Sequence, residues 1–238
     1  MHKIINYYPL GNNLASARTL RNVARIAKSQ AISMYYRANN YTPIVKDPLA
    51  IFSADWLSKT FDMNVLVMIR HPAAFCSSLK LKGWKHNFSH FLKQPLLMKQ
   101  YLQKFEADIS EFAAREQDII SQAILLWNCI HHTINIYQEK HPEWIFAKHE
   151  ELSSDPLTEF QKIFDAFNLE LTPSAKTYIL DSSGAHNPTE QKSGEEFIRN
   201  SKANIFNWKN RLTETEIQRI YAGTLEISKL FYAENDWK

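Results

Sequence analysis

The chain has 238 residues, 45% of them hydrophobic and 22% charged, with a formal net charge of +3. That make-up fits a globular protein with a sizeable core. It excludes a membrane span, which needs about 18 to 20 apolar residues. The start, Met1-His2-Lys3-Ile4-Ile5, lacks a secretory h-region, so a cytoplasmic location is expected.

Charge is unevenly placed. Residues 1–50 carry seven Lys or Arg against one acid, Asp47, a balance of +6 that leaves −3 for the rest. Such a surplus suits an anionic partner or a solvated helix face. Residues 14–37 read as an amphipathic helix, with Leu14, Ala17, Leu20, Ala24, Ala27, Ala31 and Met34 at steps of three and four. Its arginines have neither interleaved aromatics nor a nucleic-acid motif, so no nucleic-acid partner is expected. Residues 41–45 form a short β-prone run that stops at Lys46-Asp47-Pro48, where proline ends strand pairing. Asp47 suits a turn, because its side chain can bond nearby backbone N–H groups.

A short helix over 55–61 is followed by a Val/Leu/Met/Ile stretch at 64–69, the pattern of a parallel strand covered on both faces. Pro72 then opens a helix. Residues 118–139 are the longest clean helix; its neighbours His131 and His132 point in different directions, which argues against a shared metal. Cys76 and Cys129 lie in apolar helical patterns without CxxC spacing, as reduced packing residues do. A second short strand is predicted at 144–147. Asp155-Pro156 then starts a helix over 156–167 as N-cap and N1 proline. Residues 181–204 read as a long polar loop, and a last helix runs over 214–230 behind Thr213 as N-cap. Short apolar strands alternating with helices predict an α/β fold with a mainly parallel sheet flanked by helices, as a single domain over residues 1–238.

A buried parallel strand ending in Ile69-Arg70-His71-Pro72 and turning into a helix offers backbone N–H groups and a positive dipole end to an anion. Arg70 adds a charged fork, and Ser78 lies about two turns on. The same residues also admit a simpler reading, an arginine paired with a carboxylate and a serine filling a helix face.

Arg-X-Pro followed by Ser eight residues after the Arg, at the end of an apolar strand, resembles the 3′-phosphate segment of PAPS-dependent sulfotransferases. Lys46-Asp47-Pro48 is similar to the Lys-Asp-Pro of tyrosylprotein sulfotransferases and related bacterial enzymes. Phe146-Ala147-Lys148-His149-Glu150-Glu151-Leu152, running to Asp155-Pro156, resembles the family's Tyr-Glu-Asp-Leu strand end and Asp-Pro helix start. Ser201-Lys202-Ala203 with Asn207-Trp208-Lys209-Asn210 resembles its nucleotide-covering loop.

The resemblance implies a P-loop-NTPase-like sulfotransferase fold. It implies transfer of a sulfuryl group from PAPS to an acceptor hydroxyl or amine, with PAP as product, and a small molecule or peptide as acceptor. It gives Lys46 the catalytic role, assisting the leaving group, and makes Arg70, Ser78 and Lys202 nucleotide ligands. His149 stands where the family has Tyr. Ser201 and Ala203 replace Arg and Gly, and Arg199 is the substitute cation.

The family's Gly-rich 5′-phosphosulfate loop has no counterpart. The one glycine before Lys46 is Gly11, and residues 1–45 hold no acid and only His2 as a base. The resemblance therefore implies a shortened chain without the first strand and that loop. Either a partner chain or homo-oligomer completes the site, or the protein is an inactive pseudoenzyme acting through PAP or protein binding.

Overall fold

The computed structural model describes residues 19–39, 41, 44–189 and 198–237. It divides into two compact units, Met1–Asn64 and Val65–Lys238.

The first unit holds α1 (Leu20–Ala38) and α2 (Ala54–Phe61), with a 3₁₀ turn at Ala50–Ser53 leading into α2. The helix expected over 14–37 is thus present from Leu20; residues 14–18 lie outside the described residues. An Asp55–Lys59 ion pair of 2.7 Å braces α2 across one turn, and Asp62 ends it in the left-handed region at φ 52°. The strand expected over 41–45 is not formed: residues 44–47 have no regular structure, while 42 and 43 lie outside the described residues. A strand exists only through its ladder, and the sheet among the described residues is a two-stranded one elsewhere. Asp47 makes the expected turn, its Oδ1 accepting the Leu49 N–H at 2.8 Å.

In the second unit β1 (Leu66–Ile69) pairs in parallel with β2 (Ile145–Lys148), in a register that sets Ile69 opposite Lys148. Parallel strands need a long crossover. Here it carries α3 (Pro72–Lys82), short turns, α4 (Glu106–Ala114) and α5 (Ile119–Lys140). After β2 come α6 (His149–Ser154), α7 (Pro156–Ala166), α8 (Pro173–Ser183), two single turns, α9 (Ser201–Asn204) and α10 (Trp208–Arg211), and finally α11 (Glu214–Ser228). The chain is α/β in the broad sense, mostly helical around one parallel strand pair.

Two expectations need correction. β1 is covered on one face, not both: Val67 and Ile69 are buried, but Met68 between them is 42% exposed. Alternate side chains of a strand leave on opposite faces, so a continuous apolar run does not by itself report two covers. The loop expected over 181–204 is in part helical. α8 runs to Ser183, and α9 begins at Ser201 behind Asn200, whose Oδ1 accepts the Ala203 N–H at 3.0 Å. Residues 190–197 lie outside the described residues.

The core is where α3, α5, α10 and α11 meet, built on Ala73, Ala74, Cys76, Ile120, Ala123, Trp208, Leu212 and Ile220. Small side chains on α3 and α5 let the helix axes approach. Gly223 does the same for α11: a Cβ there would stand 2.9 Å from Ile124 Cγ2. Both cysteines are buried free thiols in this packing. Helix ends follow the residues at hand. Asp118 caps α5 by accepting from Ile120 and Ser121, Asp155 caps α7, and Gly83 closes α3 at φ 61° with bonds back to Leu79 and Lys80. No helix among the described residues is long and apolar enough to cross a membrane.

Candidate anion-binding site

Both strands of the second unit end at the same edge. Arg70 follows Ile69 directly, and His149 follows Lys148, the residue opposite Ile69 in the ladder. The register therefore delivers Arg70 and His149 side by side, although 79 positions separate them in sequence.

The Arg70 backbone is held by α5. Trp127 Nε1 donates to the Arg70 carbonyl at 2.9 Å, and the Arg70 N–H makes a longer 3.5 Å contact with His131 Nε2. Trp127 and His131, one turn apart, stack with ring centroids 3.8 Å apart. His131 Nδ1 bonds the Trp127 carbonyl at 3.0 Å, so the neutral ring donates at Nδ1 and accepts at Nε2. Burial pushes His131 down to about 3, and the ring is a fixed spacer rather than a metal ligand.

One amide at the helix N-terminus is taken by the chain itself. The backbone N–H of His71, the N-cap of α3, donates to Glu150 Oε1 at 3.0 Å, and the Tyr232 hydroxyl donates to Glu150 Oε2 at 3.0 Å. That amide is therefore not available to an incoming anion. Cations gather around Arg70. The Arg70 guanidinium is held below its ordinary value by burial and by the charges of Arg199 and Arg211, against the opposing pull of Glu150. Its Nε is buried and has no hydrogen-bond partner. His149 is pushed down to about 4, by burial first and then by Arg70 and Arg199.

The C-terminal part of the chain supplies the rest. Arg199 is fixed through its backbone N–H to the Ser182 carbonyl at 2.9 Å. Arg211 ends α10, and its carbonyl accepts from Lys80 Nζ at 3.3 Å. Trp208 of α10 stacks on His71 at 5.3 Å, and Trp237 meets the same ring edge-on at 4.4 Å.

No family model, curated protein or solved structure matches this chain. Its chemistry is read from the residues alone.

Of the sequence-derived candidates, Arg70, His149 and Arg199 gather in one place. Ser78 is half-buried on α3, about 9 Å along the axis from the helix start. Lys202 is exposed on α9, a turn that packs beside α6. Lys46 is exposed in the first unit. Glu150 lies inside the quoted Phe146–Leu152 segment but was given no role, and two contributors escaped sequence reading. Arg211 directly follows the quoted Asn207–Asn210 run, so position next to a motif was the available signal. Tyr232 carried none.

Arg199 and Arg211 both act on the Arg70 guanidinium, and Arg70 and Arg199 act on the neutral His149 imidazole, so positive groups gather at this strand edge. Guanidinium forks suit phosphate oxygens in a partly desolvated setting. The unpaired Arg70 Nε fits a phosphate monoester ligand. Among the described residues no group of His, Cys, Asp or Glu is placed to hold a metal.

Proposed function

We propose that this protein is a PAPS-dependent sulfotransferase chain, which transfers a sulfuryl group to an acceptor hydroxyl or amine. The observation that carries the reading is the gathering of Arg199 and Arg211 at Arg70, with neutral His149 beside Arg70 and Arg199, at the carboxyl edge of two parallel strands. In open α/β sheets this edge is where ligands bind. Together with the four sequence segments, it favours a nucleotide 3′-phosphate over an unspecified anion.

PAPS would supply the activated sulfuryl group. The residues of the chain bind and orient. Arg70, Arg199 and Arg211 neutralise the 3′-phosphate, and His149 after β2 borders it; Ser78 and Lys202 are ligands on the sequence resemblance alone. Lys46 offsets negative charge that builds on the leaving 5′-phosphate oxygen, a contribution that counts most in the transition state.

Titration calorimetry with PAP tests this. Wild-type protein binds PAP; Arg70→Ala loses binding, and Arg199→Ala or Arg211→Ala weakens it about 10- to 100-fold each, as for hydrogen bonds to charged groups. Unchanged PAP affinity in Arg70→Ala overturns the reading. A second reading, a PAP-binding pseudoenzyme, is favoured by the absence of any acid and of any histidine but His2 in residues 1–45. It predicts PAP binding without turnover of PAPS across an acceptor panel.

A further inference from the structure

Among the described residues Glu150 is the acid whose charge is prominent at Arg70, and it is the natural competitor for that guanidinium. A carboxylate and a guanidinium pair bidentately when both are free, and the pair is strong where water is scarce. Here the carboxylate is committed elsewhere. Oε1 takes the His71 N–H and Oε2 takes the Tyr232 hydroxyl, each at 3.0 Å, while Arg70 Nε keeps no hydrogen-bond partner.

Tyr232 is well fitted to hold that bond. It is 7% exposed, and its ring meets His71 edge-on at 5.0 Å. Burial and the adjacent Glu150 push its hydroxyl far above the ordinary tyrosine range, so it stays a donor. The segment after it is closed by reciprocal bonds between Ala233 and Asp236. Trp237 packs on His71 and, at 5.0 Å, on Tyr221 of α11. Tyr232 is thereby anchored on both sides.

We infer that Tyr232 is a positioning residue of the anion site: by holding Glu150 Oε2 it keeps the carboxylate from pairing with Arg70 and leaves the guanidinium to an incoming phosphate. This rests on the reading of the arginine cluster as a phosphate site. Without the hydroxyl, Oε2 has lost its donor in a half-buried setting and is left to the Arg70 guanidinium, on which the Glu150 charge already acts. A phosphate must then displace an internal carboxylate before it binds.

The test is a mutant cycle in the full chain, Tyr232→Phe, Glu150→Gln and the double variant, read by calorimetry with PAP and, as a second probe, inorganic pyrophosphate. Y232F is expected to weaken PAP binding about 10-fold or more, within the range for a hydrogen bond to a charged group. In the E150Q background, where no carboxylate competes, the same substitution is expected to change affinity less than twofold. That rescue separates positioning from simple loss of structure. Y232F binding PAP within twofold of wild type, or an equal loss in the E150Q background, overturns the inference. If pyrophosphate binds to wild type and PAP does not, the nucleotide reading fails alone and the cycle is read with pyrophosphate. If neither binds, both fall. Should Y232F unfold in a thermal melt, Tyr232→Met, which also deletes the hydroxyl, takes its place in the same cycle.

Discussion

His71, His131 and His149 are held neutral in the second unit, pushed from 6.5 to about 4, 3 and 4, with burial the largest cause in each. The sign of the consequence is fixed. An unfolded chain protonates these rings near 6.5, whereas the folded chain does so only near 4 or below. Between those values the unfolded state binds more protons, so stability falls as pH drops from about 6.5 towards 4. Each group contributes up to about 1.4 kcal/mol per pH unit. Urea midpoints at pH 7.5, 6 and 5 are expected to decline in order, and a flat series contradicts this. His71 offers a sharper check. Neither ring nitrogen has a hydrogen-bond partner, and the ring sits among Trp208, Tyr232 and Trp237. An apolar ring of similar shape avoids burying unsatisfied nitrogens. His71→Phe is therefore expected to hold or raise stability at pH 5 and to lower the pH slope by one proton.

The helix termini are where local chemistry and packing meet. Thr213 and Glu216 form a full capping box at the start of α11: Glu216 N–H donates to Thr213 Oγ1 at 3.2 Å, and Thr213 N–H donates to Glu216 Oε2 at 2.8 Å. Glu216 also pairs with Lys80 of α3 at 2.7 Å, which fastens α11 to the helix that follows Arg70. Thr213→Ala is expected to cost about 1 kcal/mol, seen as a lower urea midpoint with an unchanged slope. α7 and α11 begin where their caps say, and α5 does so behind Asp118. α8 escaped because Asp181, Ser182 and Ser183 in its last turn look like loop residues. Its N-cap Thr172 and Pro173 at the first turn were the readable signal, and the Thr172 hydroxyl does accept the Ala175 N–H at 3.3 Å.

For the whole molecule, every cation of the proposed 3′-phosphate site lies in Val65–Lys238 and the proposed catalytic Lys46 in Met1–Asn64. Residues 65–238 produced alone are expected to bind PAP within several-fold of the full chain in calorimetry; loss of binding in a folded fragment contradicts this. The sequence by itself determined the helices that carry a clear apolar face or cap, the two parallel strands, and Arg70 at a strand-to-helix turn, because these depend on periodicity and on side chains reaching their own backbone. Tertiary structure alone decided what surrounds Arg70. Strand register brings His149 beside it, α10 and the segment before α9 bring Arg211 and Arg199, and the chain end brings Tyr232 to Glu150. Contacts between residues 50 to 150 positions apart follow from how elements pack, and no local pattern encodes them. The same reason explains why the bond from the His71 N–H to Glu150, an ordinary acid in a strand-end motif, was not legible in the sequence.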